Sequence, residues 1–171
     1  MKSPHKHYSK NARSPYQERE AKYDASKWGI PYSEEYWLKF VEMKEVVGPT
    51  LEVGCGEHGL WRYNSKVMGL DPIDYSRLGP NFTLGKAEEL PFPDGSFTDV
   101  ICINSLDHMM DPKKAIDEMI RVSSDRVIVW NYIFPNRLVG LLYFGHPWAF
   151  KLESYRALFP SKWGFTYVNW F

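Results

Sequence analysis

Cysteine is almost missing. Cys55 and Cys102 are the only two in 171 residues, too few for a disulfide-stapled secreted domain, so both thiols are expected to be reduced. An excess of either charge is missing as well, with 21 Lys and Arg against 21 Asp and Glu. That neutrality argues against a partner held by bulk charge, so neither nucleic acid nor an anionic membrane surface is expected. No stretch reaches the ~18 apolar residues of a membrane span. The opening MKSPHKHYSKNARSPYQ also lacks the apolar stretch of a secretory signal, and a cytoplasmic location is the resulting expectation. What the chain has in quantity is aromatic side chain: 16% of residues, seven of them Trp, within 44% hydrophobic residues. This suffices for a packed core and excludes wholesale disorder.

At this length one compact domain is expected, over residues 20–171. Residues 1–19 read as a flexible basic arm, with Lys2, Lys6, Lys10 and Arg13 and no acid before Glu18. Ser33 followed by Glu34 and Glu35 predicts a helix start, and Tyr36, Phe40, Met43 and Val47 predict one apolar face running to Gly48-Pro49. Short apolar runs then alternate with helix signals. Strands are predicted at Thr50–Val53, Lys66–Leu70, Phe82–Leu84, Asp99–Ile103 and Arg126–Trp130. Asp111-Pro112 predicts a helix whose inner face carries Ile116, Met119, Ile120 and Ser123. Such alternation predicts an α/β fold, a doubly wound and mostly parallel sheet covered on both faces. Further on, Leu152–Phe159 has helical spacing and Phe165–Phe171 alternates loosely, as a terminal strand would.

The sharpest local feature is Leu51-Glu52-Val53-Gly54-Cys55-Gly56-Glu57-His58-Gly59, a strand entering a glycine turn. Glycines at 54 and 56 allow a sharp bend and close approach of a ligand to backbone N–H groups. Asp71 closes the next predicted strand, 71 − 52 = 19 residues after Glu52. A carboxylate there can accept both hydroxyl protons of a ribose, which points to a nucleoside-containing cofactor. Gly54, Gly56 and Gly59 also match the dinucleotide pattern G-x-G-x-x-G. Only six residues separate Gly59 from Lys66, however, enough for one turn and not for a pyrophosphate-binding helix. S-adenosylmethionine is therefore favoured over NAD, and no metal is expected.

Glu52-Val53-Gly54-Cys55-Gly56, Gly69-Leu70-Asp71-Pro72, Ala87 to Phe97, Asn104 to Pro112 and Glu118-Met119-Ile120-Arg121-Val122 stand in a fixed order. Together they resemble the successive motifs of class I S-adenosylmethionine-dependent methyltransferases, in particular the type 11 small-molecule group. The likeness covers about residues 20–165 and implies a Rossmann-like methyltransferase fold. It implies that the turn from Glu52 through Gly54, Cys55 and Gly56 holds the methionine end, with Glu52 near its ammonium. Asp71, with Pro72 beside it, would bind the ribose, Ala87 and Glu88 would lie against adenine, and Asn104 would line the pocket under the sulfonium. Tyr23-Asp24 and Trp28 resemble the segment that covers the cofactor in this family.

Four departures from the family pattern stand out. The third glycine is displaced to Gly59 with the first crossover helix nearly lost, and Lys86 replaces an acid. Ser123-Ser124-Asp125 stands where a proline-glycine-glycine turn precedes the fifth strand, and one strand rather than two follows it. The early edge predicts that residues 165–170 pair directly with the fifth strand, or else form a homodimer through that edge.

The implied activity is methyl transfer from S-adenosylmethionine to a small-molecule acceptor, leaving S-adenosylhomocysteine. His108 and His146 are the general-base candidates, and Leu138–Phe150 lies where relatives build an acceptor lid. A non-catalytic S-adenosylmethionine-binding module is the alternative that the shortened helix and missing strand favour. An NAD-dependent oxidoreductase ranks third.

Overall fold

The computed structural model describes residues 33–40, 43–131, 133, 150–161 and 163. At the centre lies β1 (Thr50–Val53), buried at all four positions, as a strand with parallel neighbours on both sides and cover on both faces must be. It pairs in parallel with β2 (Val67–Asp71) on one side and β4 (Phe97–Ile103) on the other. Outside these lie β3 (Phe82–Leu84), parallel to β2, and β5 (Ser123–Trp130), parallel to β4. The order β3-β2-β1-β4-β5 reverses direction of winding at β1, which confirms the doubly wound sheet and puts the β1, β2 and β4 C-termini side by side.

Side-chain alternation divides the core in two. Leu51, Val53, Leu70, Val100 and Cys102 point to one face, where Ala115, Ile116, Met119 and Val122 of α2 (Pro112–Val122) cover them. Tyr155 of α3 (Leu152–Arg156) joins that face. Val67 and Ile101 point to the other, under Leu60, Trp61, Met43 and Val46, with Trp37 and Leu38 of α1 (Glu34–Phe40) packed behind. Full burial of residues such as Ile116 and Met119 contributes roughly 1.5–3 kcal/mol each.

Helix starts follow the expected chemistry, and helix ends do not. Ser33 Oγ accepts the Tyr36 N–H at 3.1 Å, and Asp111 accepts the Lys114 N–H at 3.1 Å ahead of Pro112. Yet α1 ends at Phe40 and does not run on to Gly48. Met43 and Val46 still turn inward, but Val47, assigned to the apolar face, is 68% exposed. The Val46 carbonyl is taken by Lys66 Nζ at 3.1 Å, so the segment is held from the sheet side. Ser123 leaves the α2 face and opens β5, and Ser123-Ser124-Asp125 is strand and not a turn. The Ser124 hydroxyl donates to the Phe97 carbonyl at 3.0 Å, extending β4 and β5 together beyond their expected starts. The last helix stops at Arg156, short of Phe159. Residues 1–19, residues 138–149 of the expected lid, and the terminal strand with its pairing or dimer lie outside the described residues.

Arg121 ties the loop before β4 to α2. Its guanidinium meets Glu118 twice at 2.8 Å, Asp94 at 2.8 Å, and the carbonyls of Phe92 and Leu90 at 2.8 and 3.0 Å. Glu118 in turn accepts the Leu90 N–H at 2.8 Å. Planar multidentate donation of this kind is beyond a lysine. Arg121→Ala is expected to lower unfolding free energy by about 2–3 kcal/mol, because two backbone carbonyls and two carboxylates lose donors. Arg121→Lys should recover less than half of that in urea denaturation, and equal recovery would show that charge alone matters there.

Candidate functional site

The β1–β2 register sets Val53 opposite Leu70, so the two chains leave the sheet together. Gly54 and Cys55 both donate their N–H to the Leu70 carbonyl, at 2.8 and 3.2 Å. This folds the chain back sharply, with Gly54 at φ +67° and Gly56 at φ +57°, a region that costs little only for glycine. The two glycines have different surroundings. A Cβ on Gly54 would lie 2.4 Å from Ser105 Oγ, whereas one on Gly56 would meet nothing within 4 Å among the described residues. Among these residues Gly56 thus borders open space at the strand ends.

Asp71, 7% exposed, sits against that turn. One carboxylate oxygen accepts the Gly56 N–H at 3.0 Å and the other the Ile73 N–H at 2.9 Å. Pro72 carries no N–H, which makes Ile73 the first donor available after Asp71. Each oxygen retains a second lone pair, so the carboxylate can accept two further hydrogen bonds. Burial pushes Asp71 up to about 6, against the lowering effect of those two N–H groups.

Glu52 occupies the other side of the turn and is 2% exposed. It accepts the Trp61 N–H at 2.9 Å and is also bonded by the Leu60 N–H. Burial, with a smaller contribution from the Asp71 charge, pushes it up to about 7. Gly59 leaves room for both the turn and this carboxylate: a Cβ there would lie 2.5 Å from the Cys55 carbonyl oxygen and 2.6 and 2.7 Å from the two Glu52 oxygens. Gly59 has extended backbone, φ −65° and ψ 171°, so it makes room for Glu52 and is not a third turn glycine. The crossover after it holds one 3-10 turn, Leu60–Arg62. Cys55 is buried, and burial drives its thiol far up, with Glu52 and Asp71 adding to the shift.

From β4, Asn104 adopts φ +50°, which asparagine tolerates better than most residues. Its N–H donates to the Trp130 carbonyl at 2.7 Å. Its Oδ1 is buried with no hydrogen-bond partner among the described residues. Ser105 follows, and its hydroxyl donates to the Val53 carbonyl at 3.1 Å, tying the ends of β4 and β1. His108 lies on the 3-10 turn Leu106–His108, with its side chain 11% exposed and Nε2 3.8 Å from the fully buried Asp107 carboxylate. Ala87 is buried in the core. Glu88 spends one oxygen on the Met110 and Asp111 N–H groups, at 2.6 and 3.2 Å, at the start of α2.

The fold therefore brings together Glu52, Gly54, Cys55, Gly56, Asp71, Pro72 and Asn104 at one sheet edge, with His108 close behind Asn104 in sequence. Tyr23 and His146 lie outside the described residues. Trp61, Ser105 and Asp107 had no place in the sequence-based site. A bulky aromatic directly after Gly59, in a crossover too short for a helix, was the available signal for Trp61. An open cradle over Gly56, free lone pairs on a buried carboxylate and an unpartnered buried amide oxygen together fit a ligand rich in hydroxyl and amino donors. Among the described residues no helix is long and apolar enough to cross a membrane.

Residues 51–129 match the family model described as methyltransferase domain. Ajmaline N-methyltransferase of Rauvolfia serpentina is 41% identical over 92 residues, 43% of this chain and 32% of its own length. A probable chloroplastic tocopherol O-methyltransferase of Oryza sativa subsp. japonica is 30% identical over 106 residues, 50% of this chain and 29% of its own. The chain spans about a third of the length of the curated relatives it matches. Among solved structures, an S-adenosylmethionine-dependent methyltransferase from Thermotoga maritima gives a TM-score of 0.60 at 19% identity, covering 78% of this chain and 72% of its own. The YcgJ protein of Bacillus subtilis gives 0.58 at 23%, covering 70% and 64%. These two share the fold.

The raised carboxylates make a signed prediction for the ligand-free protein. A group with folded-state pKa above its unfolded value binds more protons when folded, so its contribution to stability falls as pH rises between the two values. For Glu52 that window runs from 4.5 to about 7. Relative to Glu52→Gln, the wild type should lose roughly 3 kcal/mol across it, at about 1.4 kcal/mol per pKa unit, and stay level above it. Thermal melts of both proteins from pH 4.5 to 8 read the difference. A gap that is constant with pH would place an ordinary carboxylate at 52.

Proposed function

From the methyltransferase domain that residues 51–129 match, we propose that this protein transfers a methyl group from S-adenosylmethionine to a small-molecule acceptor. The observation that carries the reading is the Asp71 carboxylate held beside the Gly56 turn, with a lone pair left on each oxygen. In this reading Asp71 and Pro72 hold the ribose, the Gly54-Cys55-Gly56 turn faces the methionine end, and Asn104 offers its amide oxygen under the sulfonium. Ala87 and Glu88 border the adenine through their backbone, since the Glu88 side chain is committed to α2. Glu52 acts on the ammonium less directly than the family resemblance implies, because it already bonds two backbone N–H groups.

When bound, the cofactor supplies an electrophilic methyl carbon, so the chain's task is alignment and removal of an acceptor proton. His108 is the base in this reading. The buried Asp107 carboxylate 3.8 Å from Nε2 favours the imidazolium that forms when the ring takes a proton. Relatives named as N- and O-methyltransferases support a small-molecule acceptor. Two buried free thiols, Cys55 and Cys102, suit a reducing compartment such as the cytoplasm. The reduction of the first crossover's helix to one three-residue turn favours, as a second reading, a module that binds the cofactor without catalysis.

Calorimetry with S-adenosylhomocysteine tests the cofactor site. Asp71→Asn should weaken binding by about 1.5–3 kcal/mol, the value of charge-assisted hydrogen bonds. Wild-type affinity should fall as pH drops below about 6, where Asp71 takes up a proton. Binding that ignores both changes rules out the ribose assignment. Labelled-methyl transfer into a fractionated metabolite extract then tests catalysis. On an acceptor so found, His108→Gln should cut turnover by ~10²-fold or more with cofactor affinity nearly unchanged. Turnover retained alongside a lowered melting temperature makes His108 structural, and binding without transfer to any fraction selects the second reading.

A further inference from the structure

A turn of two left-handed glycines ordinarily leans on the helix that follows it. Here the described crossover has only Leu60–Arg62 in its place, and the turn is braced instead by side chains. The Gly56 N–H is held by Asp71 at 3.0 Å. The carbonyl of the same residue accepts the indole N–H of Trp61 at 3.1 Å. Both peptides flanking Gly56 are thereby restrained, each by one named hydrogen bond. Trp61 also donates its backbone N–H to Glu52 at 2.9 Å, so one residue links the turn to the buried acid of β1.

The seat of this indole is cut into the sheet. Trp61 is 3% exposed. A Cβ on Gly69 of β2 would lie 2.7 Å from its ring, so only glycine leaves space for the ring against the strand. Phe82 of β3 packs on the ring at 5.4 Å between centroids. A second indole holds the far end of the same loop. Trp37 of α1 donates Nε1–H to the His58 carbonyl at 2.7 Å, and Asn64 of the crossover donates to Glu34 of α1 at 2.5 Å.

We propose that Trp61, backed by Trp37, is the positioning residue of the cofactor turn and takes over the role of the missing crossover helix. Its indole sets the orientation in which Gly56 meets an adenosyl ligand. The inference rests on the assignment of that turn to S-adenosylmethionine, and it adds a residue that acts on affinity without touching the ligand. The brace is a hydrogen bond more than a packing surface, so phenylalanine at 61 keeps the ring in its slot and removes the effect. Restraint of the turn and ligand binding must favour each other reciprocally.

Calorimetric titration of the full chain with S-adenosylhomocysteine is the test. Trp61→Phe should bind ~10-fold more weakly than wild type, as for loss of a hydrogen bond to a partly buried carbonyl. Trp37→Phe should weaken binding in the same direction, by less. Wild-type binding with Trp61→Phe affinity unchanged overturns the brace and leaves the cofactor assignment standing. No binding by wild type overturns both. Should Trp61→Phe fail to fold, the assigned indole N–H of Trp61 in ¹⁵N-labelled wild type is the second readout. Its exchange with solvent should slow several-fold on saturation with S-adenosylhomocysteine, and an unchanged rate refutes the brace.

Discussion

A buried carboxylate at the end of β2 is the constraint on which the site depends. Asp71 takes the Gly56 N–H and the Ile73 N–H, and these two bonds bend the chain on both sides of the strand-end cleft. Burial of that charge is unfavourable, and the upward shift of both Asp71 and Glu52 records how unfavourable. Two acids this close under one turn repel each other when both are ionised, as the Asp71 contribution to Glu52 shows. A ligand that brings hydrogen-bond donors relieves the desolvation of the pair. Stability of the ligand-free turn is thus sacrificed to a surface ready to accept, a pattern expected where a fold serves binding.

The motifs that lie away from the turn make sense as its scaffold. Glu118 and Arg121 grip the loop through Leu90, Phe92 and Asp94. Glu88 caps the approach to α2 through Met110 and Asp111. Asp99 is fully buried on β4 and receives a two-pronged bond from its register partner Arg126, at 2.7 and 3.0 Å, locking β4 to β5. Asp99 is the one of these charges that is fully buried, and Arg126 on both its oxygens is what makes burying it tolerable. Their combined effect is to fix β5, α2 and the loop before β4 around that strand, while the Ser105 hydroxyl ties its end to β1 beside the glycine turn.

Aromatic residues substitute for a missing helix. A short crossover cannot supply the usual backbone cover over β1 and β2, and Trp61, Phe82, Tyr75 and Trp37 fill that volume. The indole N–H groups of Trp61 and Trp37 then satisfy loop carbonyls that a helix would have satisfied itself. The high aromatic content of the chain thereby has a specific use at this face. The relatives named as N- and O-methyltransferases are aligned over a third or so of their length. The matched domain, residues 51–129, includes the glycine turn, Trp61 and Asp71.

Much was legible from residue order alone, because strands and their ends obey local rules. Alternating apolar runs marked all five described strands, and the spacing of the Gly54-Cys55-Gly56 turn and Asp71 foretold that the two would meet at the strand ends. The Ser33 and Asp111 caps were legible for the same reason, since a cap is satisfied within three residues. Decisions involving distant partners were not. Residues 43–47 are not helical although the helical spacing continues, and the Val46 carbonyl is bonded by Lys66 from the sheet side. Ser123 became strand because the Ser124 hydroxyl found Phe97. Gly59 matched the dinucleotide pattern in sequence, yet what it does is leave room for the Cys55 carbonyl and the Glu52 carboxylate. Periodicity and turn chemistry report on neighbours along the chain. Which carbonyl, carboxylate or ring a side chain meets across the fold depends on strand register and packing, and only the tertiary structure could set those.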